Sequence, residues 1–223
     1  TRRPIGWREW AGTPHFMFHS LDTSYMISRQ QKIVCISNKT NTAMNYWQKQ
    51  VKMPSSLHEL FGAQARMCDL WLIIAAAGVA AAAVSCLVWQ EAMPAYQKII
   101  LALLALDLAG GVPANFSKGT SDYYAGHSRR RIVFIALHCL QPLALVWLFP
   151  EDAFGVLLLS GYILLAACLV NHLRQYETQR VTAAFLLLPA LLLLFVVVFH
   201  SPALEAMLAL FAVKLILAFA VRW

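Results

Sequence analysis

The sequence predicts an all-α integral membrane protein, a bundle of about six transmembrane helices with both termini in the cytosol. Hydrophobic residues make up 60% of the chain and charged residues only 13%, a balance that exceeds the apolar content of ordinary soluble domains. The apolar residues also stand in long runs, and a helix that crosses a bilayer core about 30 Å thick needs roughly 20 of them. Composition and run length together exclude a soluble globular protein.

Six apolar runs come close to the length of a membrane span. They are predicted at residues 68–90, 95–113, 131–149, 153–171, 181–200 and 203–221. The second run ends in Gly110, Gly111 and Pro113, and the proline prevents the helical hydrogen bond to the carbonyl of Ala109. We therefore expect a broken helix end there, enclosed by protein or beside a water-filled cavity.

The part of the chain before the first run has a different character. Residues 1–66 contain nine Lys and Arg against three acidic residues, whereas the rest contains nine against eight. No helical or strand periodicity persists in residues 1–54. Ser56 and Glu59 then have the spacing of a capping box, which predicts a juxtamembrane helix before the first span. We divide the chain into a basic, poorly patterned cytosolic arm at 1–54 and a membrane domain at 55–223.

The charge distribution also indicates the partners. A basic segment beside a span is attracted to anionic lipid headgroups, so we expect the arm to contact the surface of the lipid bilayer. Nucleic acid is not expected as a partner, because the cations are scattered and no nucleic-acid-binding motif accompanies them. A homo-oligomer or a larger membrane complex is the remaining class of partner, since six short helices enclose little volume.

Charges between the runs predict the orientation, because cytosolic loops retain Lys and Arg. One side carries Lys49, Lys52, Arg66, Lys118, Arg129, Arg130, Arg131, Arg174, Arg180 and Arg222. The other side carries Glu91, Glu151, Asp152 and Glu205, with Lys98 as its one cation. The alternation places both termini in the cytosol, and we expect the location to be a plasma or inner membrane.

Asp107 lies in the middle of the second run, where an ionisable side chain is costly and suggests a functional site. Leu103, Gly110 and Gly111 share or adjoin its helical face, so a neighbouring helix can approach the carboxylate closely. Asp107 is therefore the first candidate catalytic residue. The plainer interpretation is an acid that fastens two helices together.

The third run supplies His138 and Gln141, which are one helical turn apart and lie on the same face. Counted from the cytosolic edge, Asp107 and His138 both lie about seven residues, or about 10 Å, deep. Pro142 blocks the helical bond to the carbonyl of His138 and predicts a kink. We assign His138 as the second candidate catalytic residue and Gln141 as a candidate ligand-binding residue. The alternative is a buried, hydrogen-bonded histidine at a proline kink.

Lys214 is the only cation deep inside a predicted span, nine residues from Glu205 and eight from Arg222. At that depth its side chain cannot easily reach either surface. An ion pair with Asp107 is the simplest arrangement that keeps both residues in the membrane, and an uncharged Lys214 is the alternative. Lys214 is therefore a candidate ligand-binding residue as well as a packing residue.

The loop at 115–131 is the longest connection after the arm and the richest in polar groups. We expect it to fold over a cytosolic cavity, with Asn115, His127 and Arg129 as candidate ligand-binding residues near the mouth. Its arginines can hold a phosphate or a lipid headgroup. The plainer interpretation of the arginine triplet is orientation by positive charge alone.

No cofactor is predicted from the sequence. A metal ion is the one candidate, with Asp107, His127 and His138 as ligands of suitable type, but their spacing matches no familiar motif. The five cysteines contain no CxxC pair, and we interpret them as small apolar residues.

Three functions are compatible with these residues. The interpretation that we favour is a non-catalytic component or partner in a membrane assembly, in which Asp107 and Lys214 serve helix packing. The first alternative is a membrane-embedded enzyme that acts on a lipid or another amphiphile at a cytosol-facing site with Asp107 and His138. The second is a small proton- or ion-coupled transporter or channel. No GxSxG, HExxH, P-loop or GxGxxG motif is present to choose between them.

Overall fold

The computed structural model describes residues 46–221, which are mostly helical. Six helices in this range are long and apolar enough to cross a membrane: Met67–Leu87, Ala95–Phe116, Ser128–Leu148, Pro150–His172, Gln179–Val196 and Pro202–Phe219. Each coincides with one of the predicted runs, which confirms a helical bundle with six long apolar helices. Membrane insertion and the side of each terminus stay predictions. Residues 1–45 of the predicted arm lie outside the described part of the chain, as does Arg222.

Shorter elements precede and connect these helices. Strand β1 (Gln50–Lys52) pairs antiparallel with β2 (Gln64–Arg66), and a 3-10 turn at Ser55–Leu57 and helix α1 (His58–Phe61) lie between them. The helices that follow are α2 (Met67–Leu87), α3 (Ala95–Phe116), α4 (Lys118–Ala125), α5 (Ser128–Leu137), α6 (Leu140–Leu148), α7 (Ala153–His172), α8 (Gln179–Val196) and α9 (Pro202–Ala212). A π-helix at Val213–Phe219 continues α9. Helices α5 and α6 together make the third span.

The juxtamembrane helix is shorter than the capping-box pattern predicts. Helix α1 lasts about one turn, no side chain caps its start, and Gly62 ends it with a left-handed φ of 73°. A Cβ on Gly62 would overlap the carbonyl group of Gly119. A Cβ on Gly119 would in turn overlap the carbonyl oxygens of Phe61 and Gln64. The two glycines therefore let the segment at 50–66 dock closely on α4.

The second long helix continues past its glycines and its proline. Helix α3 runs to Phe116, although the sequence predicted a broken end before that residue. Pro113 removes one donor, but the last turn is kept because the N–H of Ser117 donates to the carbonyls of Pro113 and Ala114 at 3.1 and 3.0 Å. Helix α4 starts at once where a loop was expected, and Ser117 caps it by accepting the N–H of Thr120.

The last span lies at the centre of the bundle and the first span at its edge. In the most apolar stretch of Pro202–Phe219, 61% of the residues are buried, against 11% in Met67–Leu87. The largest fully buried side chains include Phe211, Leu101, Leu108, Leu145, Leu159, Ile163, Leu204 and Met207. Phe154, Leu165, Phe195 and Val198 are among the large apolar side chains that stand on the outside. An apolar outer surface of this extent suits lipid better than water.

A buried arginine holds the end of the last span. Arg131 is 4% exposed, and its Nη2 atom donates to the carbonyls of Phe219 and Ala220 at 2.7 and 2.9 Å. Its Nε atom donates to Asn171 Oδ1 at 2.6 Å. The side-chain amide of Gln179 also donates to the carbonyl of Ala220, at 2.8 Å. These bonds satisfy carbonyls at the end of the π-helix, where helical donors run out.

A titratable pair lies at the other end of the bundle, where α7 and α9 begin. The buried carboxylate of Asp152 accepts hydrogen bonds from His200 Nδ1 at 2.8 Å and from the His200 backbone N–H at 3.3 Å. The side-chain hydrogen bond, together with attraction to the carboxylate, raises the pKa of the exposed His200 imidazole above its ordinary value.

This pair predicts a pH-dependent contribution to stability. A histidine whose pKa is raised on folding stabilises the fold below its unfolded pKa, and the contribution is lost as the pH rises through the folded pKa. We expect the difference in unfolding free energy between the wild type and His200→Gln to shrink from about pH 6 to about pH 8. Denaturant titrations at the two pH values measure it, and an unchanged difference would contradict the hydrogen bond.

Candidate functional site

Asp107 and Lys214 form an ion pair between α3 and the π-helix. Lys214 Nζ donates to Asp107 Oδ2 at 2.7 Å and to the backbone carbonyl of Asp107 at 3.2 Å. The side-chain amide of Gln141 donates to the same carboxylate oxygen. The Lys214 side chain is 3% exposed and the Asp107 side chain 43%. The ammonium group is therefore buried behind a carboxylate that faces open space.

Backbone features of both helices bring Lys214 to the carboxylate. Lys214 is the second residue of the π-helix, a rare element that often occurs at functional sites. Gly111 on α3 leaves room for the lysine, because a Cβ there would overlap Lys214 Cε and lie 2.9 Å from Nζ. Gly111, which we expected to end a helix, thus accommodates the cation instead.

His138 lies at the junction between α5 and α6. Its Nδ1 atom is 2.7 Å from the carbonyl oxygen of Phe134, and a carbonyl can only accept, so Nδ1 carries a proton. In the neutral imidazole Nε2 is then an acceptor, and this buried atom has no partner among the described residues. The expected proline kink is present as a break between two helices. The His138 carbonyl accepts the N–H of Gln141 at 3.4 Å, in place of the N–H that Pro142 lacks.

Three of these side chains, those of Asp107, His138 and Lys214, line a cavity of about 640 Å³, which we name the inner cavity. Its polar lining comes from Ser56, Glu59, Asp107, Asn115, His138 and Lys214, and Tyr124 also contributes. Its apolar lining includes Ile73, Leu103, Leu106, Phe134 and Leu137. Volumes of about 300–1,000 Å³ are typical of small-molecule sites. The inner cavity therefore has the size and the mixed lining of a ligand site.

The polar groups of the inner cavity stand at two levels. Asp107 belongs to the deeper level together with His138 and Lys214. Asn115 lies eight residues further along α3, about 12 Å along the helix axis. Asn115 is 6% exposed, and its Nδ2 atom has no hydrogen-bond partner in the described part of the chain. Buried polar atoms without a partner call for an explanation, such as a bound water or ligand.

A second cavity of about 440 Å³, the outer cavity, adjoins the first. Glu59, Tyr124, Phe134 and Leu137 line both cavities, and His127, Ser128, Arg129, Arg130 and Val133 line the outer one alone. The predicted ligand-binding residues are divided accordingly. Asn115 and Lys214 line the inner cavity, whereas His127 and Arg129 line the outer one. Gln141 contacts Asp107 without being part of either lining.

Sequence reasoning missed the aromatic side chains between the two cavities. The ring of Phe134 stacks on that of Phe219 with centroids 3.8 Å apart, and Tyr124 packs edge-on against both. The Tyr124 hydroxyl donates to the backbone carbonyl of Glu59 at 3.3 Å. Burial raises the pKa of Tyr124, so the hydroxyl keeps its proton and remains a donor. The one sequence feature that could have indicated this aromatic cluster was the pair Tyr123 and Tyr124 in the polar loop at 115–131.

The predicted metal ligands do not come together. Residues 46–221 contain no group of three His, Cys, Asp or Glu side chains that is placed to hold a metal ion. Asp107 and His138 line the inner cavity, but His127 lines the outer one. The geometry thus offers two of the three candidate ligands at one place.

Replacing Gly111 with Ala is expected to disturb the ion pair. The new methyl group would overlap Lys214 Cε, so the lysine must withdraw from Asp107 or the helices must separate. We expect a loss of about 1–3 kcal/mol in unfolding free energy. Gly78→Ala on α2 is the matched control, because a Cβ there meets nothing within 4 Å and Ala favours a helix. Equal stabilities of the two variants in a denaturant titration would contradict this position of Lys214.

The candidate site therefore consists of an ion pair, an imidazole nitrogen and an amide group, the last two without a partner among the described residues, all at one cavity. The imidazole nitrogen and the carboxylate can accept hydrogen bonds and protons from a molecule in that cavity, whereas the amide group of Asn115 can donate a hydrogen bond. Comparison of the chain with known protein families, with curated proteins and with solved structures finds no match to any of them.

Proposed function

We propose that this chain is an integral membrane protein that binds a small amphiphile in the inner cavity, with Asp107 and His138 at the amphiphile's polar end. The observation that carries the proposal is the position of the Asp107–Lys214 pair in the wall of a cavity of about 640 Å³. An ion pair that served packing alone would be enclosed on both sides. Here the carboxylate is 43% exposed, which leaves it available to a ligand.

The apolar lining supports an amphiphile rather than a fully polar ligand. Leu103 and Leu137 line the inner cavity, and each is also 57% exposed. The cavity wall is therefore continuous with the apolar outer surface of the bundle. Burial of a hydrocarbon chain gains about 0.8 kcal/mol for each CH₂ group. The chain of the amphiphile lies along these leucines in our proposal, and its polar end reaches Asp107.

The polar end of the site is suited to acid–base chemistry. Asp107 and His138 each present a proton acceptor, and such a group contributes to catalysis when it is within hydrogen-bond reach of the reacting proton. In the enzymatic form of the proposal, one of the two removes a proton from the bound amphiphile. Lys214 compensates the charge of the carboxylate. This is the membrane-embedded enzyme that the sequence suggested as an alternative.

Identification of co-purifying lipids by mass spectrometry tests the proposal. The wild-type protein is expected to retain an amphiphile through purification, and Leu106→Trp is expected to lose it because Leu106 lines the inner cavity. Leu165→Trp is the matched control, since Leu165 is 74% exposed and lies outside that lining. The same lipids in the same ratio to protein in all three preparations would contradict the proposal.

The end of the bundle with the two cavities faces the cytosol in our proposal. The connections at this end carry Lys118, Arg129, Arg130, Arg174 and Arg180, and those at the other end carry Glu91, Glu151, Asp152 and Glu205. Positive charge in cytosolic loops supports this orientation in a plasma or inner membrane. Labelling of intact cells with an impermeant thiol reagent tests it. Both cysteines are introduced into a variant whose five own cysteines are replaced by Ala, because three of these are exposed. Glu151→Cys is expected to react from outside, and Gly126→Cys only after lysis.

A non-catalytic role in a membrane assembly is the second candidate, and the exposure of α2 favours it. Only 11% of the most apolar stretch of this helix is buried, and a Cβ on Gly78 would meet nothing within 4 Å. Small residues let a helix of another subunit approach closely. If this role is correct, Gly78→Leu weakens oligomerisation in cross-linking experiments and leaves lipid retention unchanged. An unchanged oligomeric state would count against it.

A further inference from the structure

We infer that the polar end of the ligand is a hydrogen-bond donor, a hydroxyl or an ammonium group, and not a carboxylate or a phosphate. The inference rests on the proposed function, because it names the chemistry of the molecule in the inner cavity. It depends on two acceptor atoms at the deeper level of the site. They belong to His138 and Asp107.

The acceptor of His138 is fixed in position. Nδ1 donates to the carbonyl of Phe134 at 2.7 Å, and the imidazole packs on the Phe134 ring with centroids 4.1 Å apart. A rotation of the imidazole ring, including one that swaps the positions of Nδ1 and Nε2, would therefore break the hydrogen bond to Phe134. Nε2 is buried and lacks a donor among the described residues. A donor group of a ligand would satisfy it.

The carboxylate of Asp107 is satisfied on one oxygen only. Lys214 and Gln141 both donate to Oδ2, and no residue in the described range 46–221 donates to Oδ1. The other acceptor of the Gln141 side chain, Oε1, also lacks a donor among the described residues, but Gln141 does not line the cavity. Asp107 Oδ1 is thus the second acceptor that a ligand in the inner cavity can reach.

Lys214 is the one cation that the described residues contribute to the inner lining, and it does not offset these acceptors. Lys214 directs two of its three N–H donors to Asp107, and its side chain is 3% exposed against 43% for the carboxylate. A ligand therefore meets the carboxylate before the ammonium group. Glu59 is the second acid of the same lining, and the arginines belong to the outer cavity. An anionic group would face like charge here, whereas a hydroxyl or ammonium group supplies the missing donors.

Four amphiphiles with the same dodecyl chain test the inference: dodecanol, dodecylamine, dodecyl methyl ether and dodecanoate. The full chain is placed in nanodiscs of neutral phosphatidylcholine, and apparent Kd values are obtained from the rise in melting temperature with ligand concentration. We expect dodecanol, dodecylamine or both to bind about tenfold or more tightly than the ether and the carboxylate. The tighter of the two donors shows whether the natural group is a hydroxyl or an amine.

His138→Phe keeps an aromatic ring on Phe134 and is expected to reduce the preference for dodecanol over its ether at least severalfold. Arg180→Gln is the control, because Arg180 is exposed and outside both linings. Binding of the ether or of dodecanoate as tightly as both donors in the wild type would overturn the inference and leave the proposed function standing. If no amphiphile binds the wild type better than Leu106→Trp, the proposed function fails as well.

Discussion

Asp107→Asn is expected to lower the free energy of unfolding by about 3–5 kcal/mol, the range for removing one partner of a buried ion pair. The loss is large because Lys214, whose side chain is 3% exposed, would lose its counter-ion and would have either to keep an unpaired charge inside the bundle or to give up its proton. Lys214→Met is expected to cost only about 1–2 kcal/mol, because the carboxylate that remains is 43% exposed and can be hydrated in the inner cavity. Asp107→Asn is thus expected to lose more stability than Lys214→Met, because the unpaired group that it leaves is more deeply buried.

Unfolding in mixed micelles with a rising fraction of denaturing detergent measures both changes. The double variant Asp107→Asn/Lys214→Met is the control, since it removes both charges and is expected to recover most of the stability lost in Asp107→Asn. If Lys214→Met costs as much as Asp107→Asn, the carboxylate is not hydrated and the inner cavity is dry. The proposed ligand site would then lose its main support.

Arg131→Met is expected to destabilise the protein by about 3–5 kcal/mol. The change leaves the carbonyl of Phe219 and the side chain of Asn171 without the donors that now reach them inside the bundle, whereas the carbonyl of Ala220 keeps its hydrogen bond from Gln179. Arg131→Lys is expected to recover only a minor part, because an ammonium group lacks the planar fork that serves three acceptors at once. The same detergent titration measures the loss.

The neighbouring arginine provides a matched control. Arg130 is exposed, and its guanidinium lies over the ring of Tyr123 at 4.8 Å. Such a contact contributes about 0.5–1 kcal/mol at exposed positions. Arg130→Met is therefore expected to be nearly neutral. If Arg130→Met destabilised the protein as much as Arg131→Met, the hydrogen bonds of Arg131 would not explain the loss of stability.

The six long helices could be predicted from the sequence because each needs about 20 apolar residues, and few other structures use such runs. The interruptions within them could not. Pro113 and Pro142 have the same local effect on the backbone. Helix α3 nevertheless continues through Pro113, whereas the third span breaks beside Pro142. The π-helix likewise depends on Arg131 and Gln179, which come from other helices.

The deeper level of the site could be predicted because depth along a helix can be counted. Asp107, His138 and Lys214 lie within long apolar runs of the sequence, and a charge placed there requires a partner at the same depth. The outer level could not be predicted in this way. His127 and Arg129 follow a helix that the sequence presented as a loop, and their separation from Asp107 depends on how that helix folds back.

The segment that precedes the first span is part of the candidate site. Residues of α1 and of the turn before it line the inner cavity. Thr120 fixes this segment with a 2.8 Å hydrogen bond to the carbonyl of Leu60, and the contact between Gly62 and Gly119 leaves no room for a side chain. A protein shortened to begin at Met67 would retain all six long helices but would lose Ser56, Glu59, Leu60 and Phe61 from the lining of the inner cavity. One wall of the inner cavity thus belongs to a region that hydropathy alone assigns to the outside of the membrane.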